Sequence, residues 1–202
     1  MGIAGLRILQ ELQSVSCLSL DLLPASRKGI CCSRSFGKAL TTLSSLEEVL
    51  AQYVSQAAKK LRKGNLATPA LTVFISTSRF KDNLYSMSHT IELPVASDYT
   101  PELIRYSLQA LQKIYRKGLA YKKAGIFFQD LIPNQQIQAS FFDPINRIKA
   151  HALMKTVDDL HRQFGDNSIQ FAAQGISKAS KTNAQYRSPR YTTEWKEILE
   201  IN

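Results

Sequence analysis

The sequence predicts an α+β fold in which a four-stranded antiparallel sheet carries two helices on one face. Two segments place apolar residues at helical spacing, and several others alternate apolar with polar residues as strands do. Between about residues 28 and 133 these segments follow the order β, α, β, β, α, β. In such a split βαβ arrangement both helices cover one side of the sheet, so the other side is open.

The first half of this unit predicts a strand, a helix and the beginning of a hairpin. Residues 30–36 form the first strand, and Ser45 then begins a helix with Glu48 as its capping-box partner. Gly64 ends that helix after a basic turn, as glycine commonly does. Residues 71–76 alternate as the next strand.

The second half completes the unit. Residues 85–93 alternate over their whole length, and Thr100 and Pro101 then mark the start of a helix that stops near Gly118. A last strand is predicted over 121–131. Beyond a polar stretch, a third helix is predicted over 147–164 and a short strand over 168–173.

The chain carries an excess of positive charge. Its 26 Lys and Arg residues exceed its 16 Asp and Glu residues, for a net charge of +10 over 202 residues. Up to Pro133 there are 17 basic and 9 acidic residues, against 9 and 7 beyond it, so most of the surplus lies in the first part. Concentrated charge of this sign suggests nucleic acid as the partner, with a solvated lysine-rich surface as the alternative.

Small hydroxyl residues and cations occur on the predicted strands. The hydroxyl set is Ser33, Ser35, Ser76, Ser78, Ser86 and Ser88, and the cations are Arg34, Arg79, Lys122 and Lys123. If the register places them on the open side, they would bind phosphates without reading bases. An ordinary solvent-exposed sheet face is the alternative interpretation.

No catalytic motif stands out. The acidic residues are scattered, and the adjacent pair Asp158 and Asp159 diverges on a helix, so the sequence predicts no metal site, no cofactor and no enzyme complete in itself. The cysteines, Cys17, Cys31 and Cys32, form neither a disulfide framework nor a metal motif. With no apolar run long enough to span a bilayer, we expect a cytoplasmic chain with no membrane contact.

Three segments in a fixed order carry a family resemblance: CCSRSFG at 31–37, YKKAGIF at 121–127 and SPRYTTEW at 188–195. Together they resemble the C-terminal part of the UmuC group, the catalytic subunits of error-prone DNA polymerases of the Y family. The resemblance implies the end of a thumb and a linker at 1–27, a little-finger domain at 28–133, a linker at 134–146 and a UmuC-type extension at 147–202. The palm and fingers, where the resemblance places Mg²⁺ and catalysis, have no counterpart in this sequence.

The resemblance implies two binding sites. Backbone contacts to primer-template DNA are expected from Ser33, Arg34, Ser35, Thr77, Ser78, Arg79, Lys122 and Lys123. A motif for the β sliding clamp is expected at Gln138, Phe141 and Phe142, although the two phenylalanines could instead cap the little-finger core.

The resemblance also suggests a role in SOS mutagenesis, translesion synthesis and DNA repair, with the UmuD′ dimer and the RecA filament as further partners. Two other functions remain open at this point. The chain could be a protein-interaction module that docks through residues 147–202, or half of a split polymerase that is active only with a separate palm and fingers chain.

Overall fold

The computed structural model describes residues 2–18, 27–78, 84–166, 168–175 and 187–198. Their helices are α1 (Ile3–Leu12), α2 (Leu43–Lys63), α3 (Thr100–Ile114) and α4 (Arg147–Phe164). The strands are β1 (Gly29–Leu40), β2 (Leu66–Thr77), β3 (Ser86–Ser97), β4 (Tyr121–Gln129) and β5 (Ile132–Pro133). Short 3-10 turns occur at Asn134–Gln136, Ala172–Gln174 and Trp195–Glu197.

The predicted α+β architecture is confirmed. Four strands lie in the order β1-β4-β2-β3 with every neighbouring pair antiparallel, and the two-residue β5 pairs with the start of β2. Because β4 lies between β1 and β2, the connection through α2 crosses over an intervening strand, which is the split βαβ arrangement.

The core lies between this sheet and helices α2 and α3. Alternate residues of the central strands are fully buried, among them Leu71, Val73 and Ile75 of β2 and Ile126 of β4. Their partners on α2 occur every three or four residues and are also buried: Leu46, Val49, Leu50, Tyr53, Val54, Ala57, Ala58 and Leu61. Full burial of each large aliphatic side chain contributes about 1.5–3 kcal/mol, so this contact between helices and sheet supplies most of the domain's hydrophobic stabilisation.

Helix α2 begins two residues earlier than predicted. Its N-cap is Thr42, whose hydroxyl oxygen accepts a hydrogen bond from the Ser45 backbone N–H at 3.3 Å. Ser45 is therefore already within the first turn, and Glu48 is not its capping-box partner. Threonine and serine are both favoured at the N-cap position, so the local sequence does not decide whether Thr42 or Ser45 is the N-cap.

Helix α3 also begins one residue earlier than predicted, and it ends at Ile114 rather than near Gly118. Its N-cap is Tyr99, while the hydroxyl of Thr100 accepts a hydrogen bond from Arg62. After the helix, the Tyr121 hydroxyl accepts from the Arg116 N–H at 2.8 Å and donates to the Arg116 carbonyl at 3.0 Å. These tertiary contacts use the backbone groups that a longer helix would need.

Two strand predictions need correction. The last strand of the sheet ends at Gln129, because Asp130 has a positive φ of 52° that turns the chain before β5. Residues 168–173 do not form a strand; the segment ends in the turn Ala172–Gln174. The Gln174 carbonyl accepts a hydrogen bond from the Gln52 side chain of α2, so the segment packs on a helix and lies away from the edge of the sheet.

Helix α4 occupies the predicted residues and packs against its own domain. Ala150, Met154 and Val157 form its buried side. No helix among the described residues is long and apolar enough to span a membrane.

Candidate nucleic-acid interface

The side of the sheet away from α2 and α3 presents a regular array of twelve residues, which we call the open face. The strand register arranges them in three rows across β1, β4, β2 and β3. The rows are Cys31, Phe127, Thr72 and Thr90; Ser33, Gly125, Phe74 and Ser88; and Ser35, Lys123, Ser76 and Ser86. Gly125 is the only member of the array that is buried.

The two sides of the sheet differ in composition because side chains alternate along each strand. On β2, Leu71, Val73 and Ile75 face the helices, whereas Thr72 and Ser76 face outward. Seven of the twelve open-face residues are serine or threonine. The described residues therefore leave one face of the sheet polar and accessible.

The strand register places some of the predicted phosphate-binding residues on the open face and others on the helix side of the sheet. Ser33, Ser35 and Lys123 lie on the open face, where Ser35 and Lys123 are direct cross-strand partners. Arg34 pairs with Ala124, whose buried side chain faces the helices, so Arg34 lies on the helix side at the outer edge of β1.

Lys122 occupies an irregularity in β4. The register shifts between Lys123 and Tyr121, and the Lys122 ammonium donates a hydrogen bond to the Gly37 carbonyl at 2.8 Å. Its charge thus lies beside the end of β1 and not within the three rows. Lys123 is the cation that the strands place in the array itself.

The remaining predicted residues lie where β2 ends. Thr77 is 7 % exposed, and its hydroxyl oxygen accepts a hydrogen bond from the Tyr85 N–H at 2.8 Å. This bond helps hold the start of β3 against the end of β2. Ser78 is half-buried just beyond the strand, and Arg79 lies outside the described residues.

Burial changes the chemistry of two groups on the helix side of β1. Burial raises the pKa of the Cys32 thiol, and the nearby cations Lys60 and Arg34 oppose this effect only partly. Burial also raises the pKa of Tyr53 to about 12, so this phenol remains protonated at neutral pH. Both groups are neutral parts of the core, and the exposed thiol of this strand is Cys31.

The predicted clamp motif lies on a turn beyond the sheet. Phe141 and Phe142 are fully exposed, and Gln138 is exposed as well. Neither phenylalanine packs on the core, so the alternative in which they cap the little-finger core is wrong. The turn is closed by a hydrogen bond from the Asp143 N–H to the Ser140 carbonyl at 3.2 Å.

Arg147 joins that turn to the domain. Its guanidinium donates to Asp143 at 2.5 Å and to both carboxylate oxygens of Glu102 on α3, at 2.6 and 3.2 Å. Glu102 is 4 % exposed, so this is a largely buried ion pair. The hydrogen bond from Arg147 also holds the pKa of the Asp143 carboxyl below its usual value.

A second set of ion pairs joins α2 to the C-terminal part of the chain. Arg62 donates to both oxygens of Asp158 on α4, at 2.6 and 2.9 Å, and Lys59 pairs with Asp166. The basic end of α2 is therefore partly neutralised within the chain. The long-range attraction of these helix-end cations for any polyanion is correspondingly reduced.

The open face also has an aromatic part, which the sequence pattern alone did not indicate. Phe74 and Phe127 lie on its two central strands, and Phe127 is 37 % exposed. The sequence feature that could have predicted these two rings is a pair of glycines, Gly125 and Gly29, on the neighbouring strands. A glycine within a strand often marks a close approach by another group. Among the described residues, no group of three or more His, Cys, Asp or Glu side chains is placed to hold a metal ion.

The fold and this face define a class of protein: a split βαβ domain with one polar, lysine-bearing sheet surface that is accessible. Residues 27–141 match the description "impB/mucB/samB family C-terminal domain", and residues 151–201 match a domain of unknown function, DUF4113. Because the first match covers more than half of the chain, this chain belongs to the impB/mucB/samB family.

Curated relatives agree with this assignment. The chain is 34% identical over 195 residues to Protein ImpB of Salmonella typhimurium, which covers 95% of this chain and 46% of the relative. It is 34% identical to Protein MucB of Escherichia coli over 98% of this chain and 47% of the relative. Protein UmuC of Salmonella typhimurium strain LT2 is 30% identical over 96% and 47%, respectively. The chain thus spans about half the length of the curated relatives that it matches.

A solved structure titled "Complex of beta-clamp processivity factor and little finger domain of PolIV" covers 57% of this chain and 99% of that chain. Its sequence identity is 14% and its TM-score 0.39, a similarity too low to carry an inference about binding.

Proposed function

We propose that the open face binds the sugar-phosphate backbone of primer-template DNA, as the DNA-binding portion of an error-prone translesion polymerase of the UmuC type. The observation that carries this proposal is the register that gathers Ser33, Ser35 and Lys123 on one uncovered side of the sheet. A polymerase of this kind would act in SOS mutagenesis and DNA repair in the cytoplasm.

The chemistry of this face suits a backbone better than base edges. Short hydroxyl side chains bring the sheet close to phosphate oxygens and donate hydrogen bonds, and Lys123 adds a positive charge. Such contacts carry no sequence information directly, so binding would be similar on any template. The net charge of +10 would add attraction that weakens as salt increases.

The test is a salt titration of binding to a labelled primer-template, followed by fluorescence anisotropy. Replacing Lys123 with Ala should reduce the slope of log K against log salt by about one. The matched control is Lys113→Ala, which removes the same charge from the exposed side of α3. Salt-independent binding by the unmodified chain, or equal losses in both variants, would contradict the proposal.

We further propose that the turn carrying Phe141 and Phe142 tethers the chain to the β sliding clamp. The complete exposure of both rings supports this, because adjacent large apolar side chains form a contiguous exposed patch, which commonly marks an interaction site. Two aromatic groups that enter apolar pockets are typical of the few residues that dominate an interface. Gln138 would fix the orientation through its amide.

Surface plasmon resonance on immobilised clamp tests this second proposal. The double variant Phe141→Ala, Phe142→Ala should weaken clamp binding at least about tenfold, since buried aromatic anchors commonly contribute 2 kcal/mol or more. Phe164→Ala is the control, because Phe164 is also exposed, at the end of α4. Unchanged affinity in the double variant would exclude the turn as the tether.

Docking to the UmuD′ dimer and the RecA filament through residues 147–202 remains a proposal. A pulldown that compares the full chain with one lacking those residues tests it.

A further inference from the structure

Two phenylalanine side chains of the open face, Phe127 and Phe74, reach over glycines of neighbouring strands. A Cβ atom added at Gly29 would lie 2.7 Å from Cε2 of Phe127, and one added at Gly125 would collide with the Phe74 ring. Each ring therefore covers a glycine of a neighbouring strand. It occupies the space that a side chain at the glycine position would need. Phe127 nevertheless keeps 37 % of its surface exposed, so part of its ring is accessible to a ligand.

Groups suited to a nucleotide surround the rings. The Lys123 ammonium lies 5.8 Å from the centroid of Phe74, and Ser33 and Ser88 flank that ring in the same row. Phe127 lies between Cys31 and Thr72 in the next row, with Thr90 beyond. An aromatic surface for a base thus adjoins a cation and hydroxyls for the phosphates on either side of it.

We propose that Phe127 and Phe74 form a stacking platform for unpaired bases, so that the open face binds single-stranded DNA as well as duplex backbone. The proposal rests on the proposed DNA-binding function of this face and extends it to a second ligand, the single-stranded template. Stacking on an aromatic ring is possible for every base, so it preserves binding without sequence preference.

Duplex DNA does not use such a platform, because its bases are stacked on each other and present only their edges. Single strands expose base faces, and each base that stacks on an aromatic side chain commonly gains about 5- to 150-fold in affinity. Phe127, the more exposed ring on a central strand, is therefore the principal contact. Phe74 is half-buried, and the Lys123 ammonium lies over its ring.

The experiment compares two labelled oligomers of about twelve nucleotides, which is within the site sizes of sheet-based single-strand binders. One is oligothymidylate, and the other has the same backbone without bases. The unmodified chain should bind the base-bearing oligomer at least about fivefold more tightly. In Phe127→Leu this preference should largely disappear, because leucine still covers Gly29 but offers no aromatic face.

Phe164→Leu on α4 is the control and should keep the full preference, and thermal melting verifies that each variant is folded. Phe74→Leu provides the second variant, with a smaller loss expected. The proposal is overturned if the unmodified chain binds both oligomers equally, or if Phe127→Leu weakens both by the same factor. Salt-dependent binding of a blunt duplex is measured in parallel. If duplex binding is observed while the base preference is absent, the proposed backbone binding stands and the stacking proposal fails. If duplex binding is absent, both proposals fail.

Discussion

At the residue scale, Cys31 and Cys32 show how one step along a strand separates two environments. Cys31 is exposed on the open face beside Phe127, whereas Cys32 is 8 % exposed and its thiol contacts the Gln56 side chain at 3.6 Å. Burial raises the pKa of the Cys32 thiol, so its reactive thiolate form is also rarer. The cysteine side chain is therefore accessible to solvent at position 31 and part of the core at position 32.

This contrast gives a footprinting prediction. Maleimide should alkylate Cys31 quickly in the free protein, and saturating primer-template should slow that reaction at least about fivefold if DNA covers the open face. Peptide mass spectrometry measures the modification of each cysteine. Cys17, in the N-terminal segment that carries α1, is the internal control, and its rate should not change. Equal alkylation of Cys31 with and without DNA would place the ligand elsewhere.

At the element scale, α4 is held by charge as well as by its narrow apolar side. Arg147 at its first position pairs with Glu102, and Asp158 in its fourth turn pairs with Arg62. Arg62 and Glu102 are only 10 % and 4 % exposed, so neither would be well solvated if its partner were removed. The helix is thereby fixed at two points on the α2 and α3 layer.

Replacing Arg147 with Ala should destabilise the chain by about 3 kcal/mol, because the Glu102 carboxylate would remain buried without its partner. Urea denaturation measures the loss, and hydrogen exchange should show faster opening of α4. The control is Arg162→Ala, whose side chain is 79 % exposed and pairs with Asp159. Removing such a surface pair should cost less than about 1 kcal/mol. Equal losses in the two variants would mean that the Arg147 pair contributes no more than a surface contact.

At the scale of the whole molecule, the charges of the C-terminal part redistribute the field of the domain. Asp158 and Asp166 pair with Arg62 and Lys59 at the end of α2, on the helix side of the sheet. The cation placed within the open face, Lys123, has no such carboxylate partner among the ion pairs of the described residues. This distribution favours attraction of a polyanion to the sheet.

The proposed function, in which catalysis requires a separate palm and fingers, gives a prediction about activity. With Mg²⁺, deoxynucleotides and a primer-template, this chain alone should give no primer extension, because its carboxylates are scattered along the sequence. Gel analysis of a labelled primer measures the product. Extension that appears only after a palm and fingers chain is added would favour a split polymerase. Extension by the purified chain alone would contradict the proposed requirement.

Local patterns accounted for the order of β1 to β4 and of helices α2 to α4, but not for α1 or β5. Alternation on β2 and β3 and the apolar stripe of α2 were predicted correctly, because each depends on a repeat within one segment. Helix ends were predicted less well. Thr42 and Ser45 offer similar caps, and α3 ends where Tyr121 takes the backbone groups of Arg116, a contact that no local pattern contains.

The sequence by itself determined the fold class, the excess of positive charge and the three motifs that identify the family, since all of these depend on residue type and spacing. Only the tertiary structure decided which candidate residues share a surface. Strand register placed Ser33, Ser35 and Lys123 together, put Arg34 on the helix side and brought Phe74 and Phe127 over two glycines. The physical reason is that a shift of one residue reverses the side of the sheet on which every side chain lies, and register depends on contacts between distant segments.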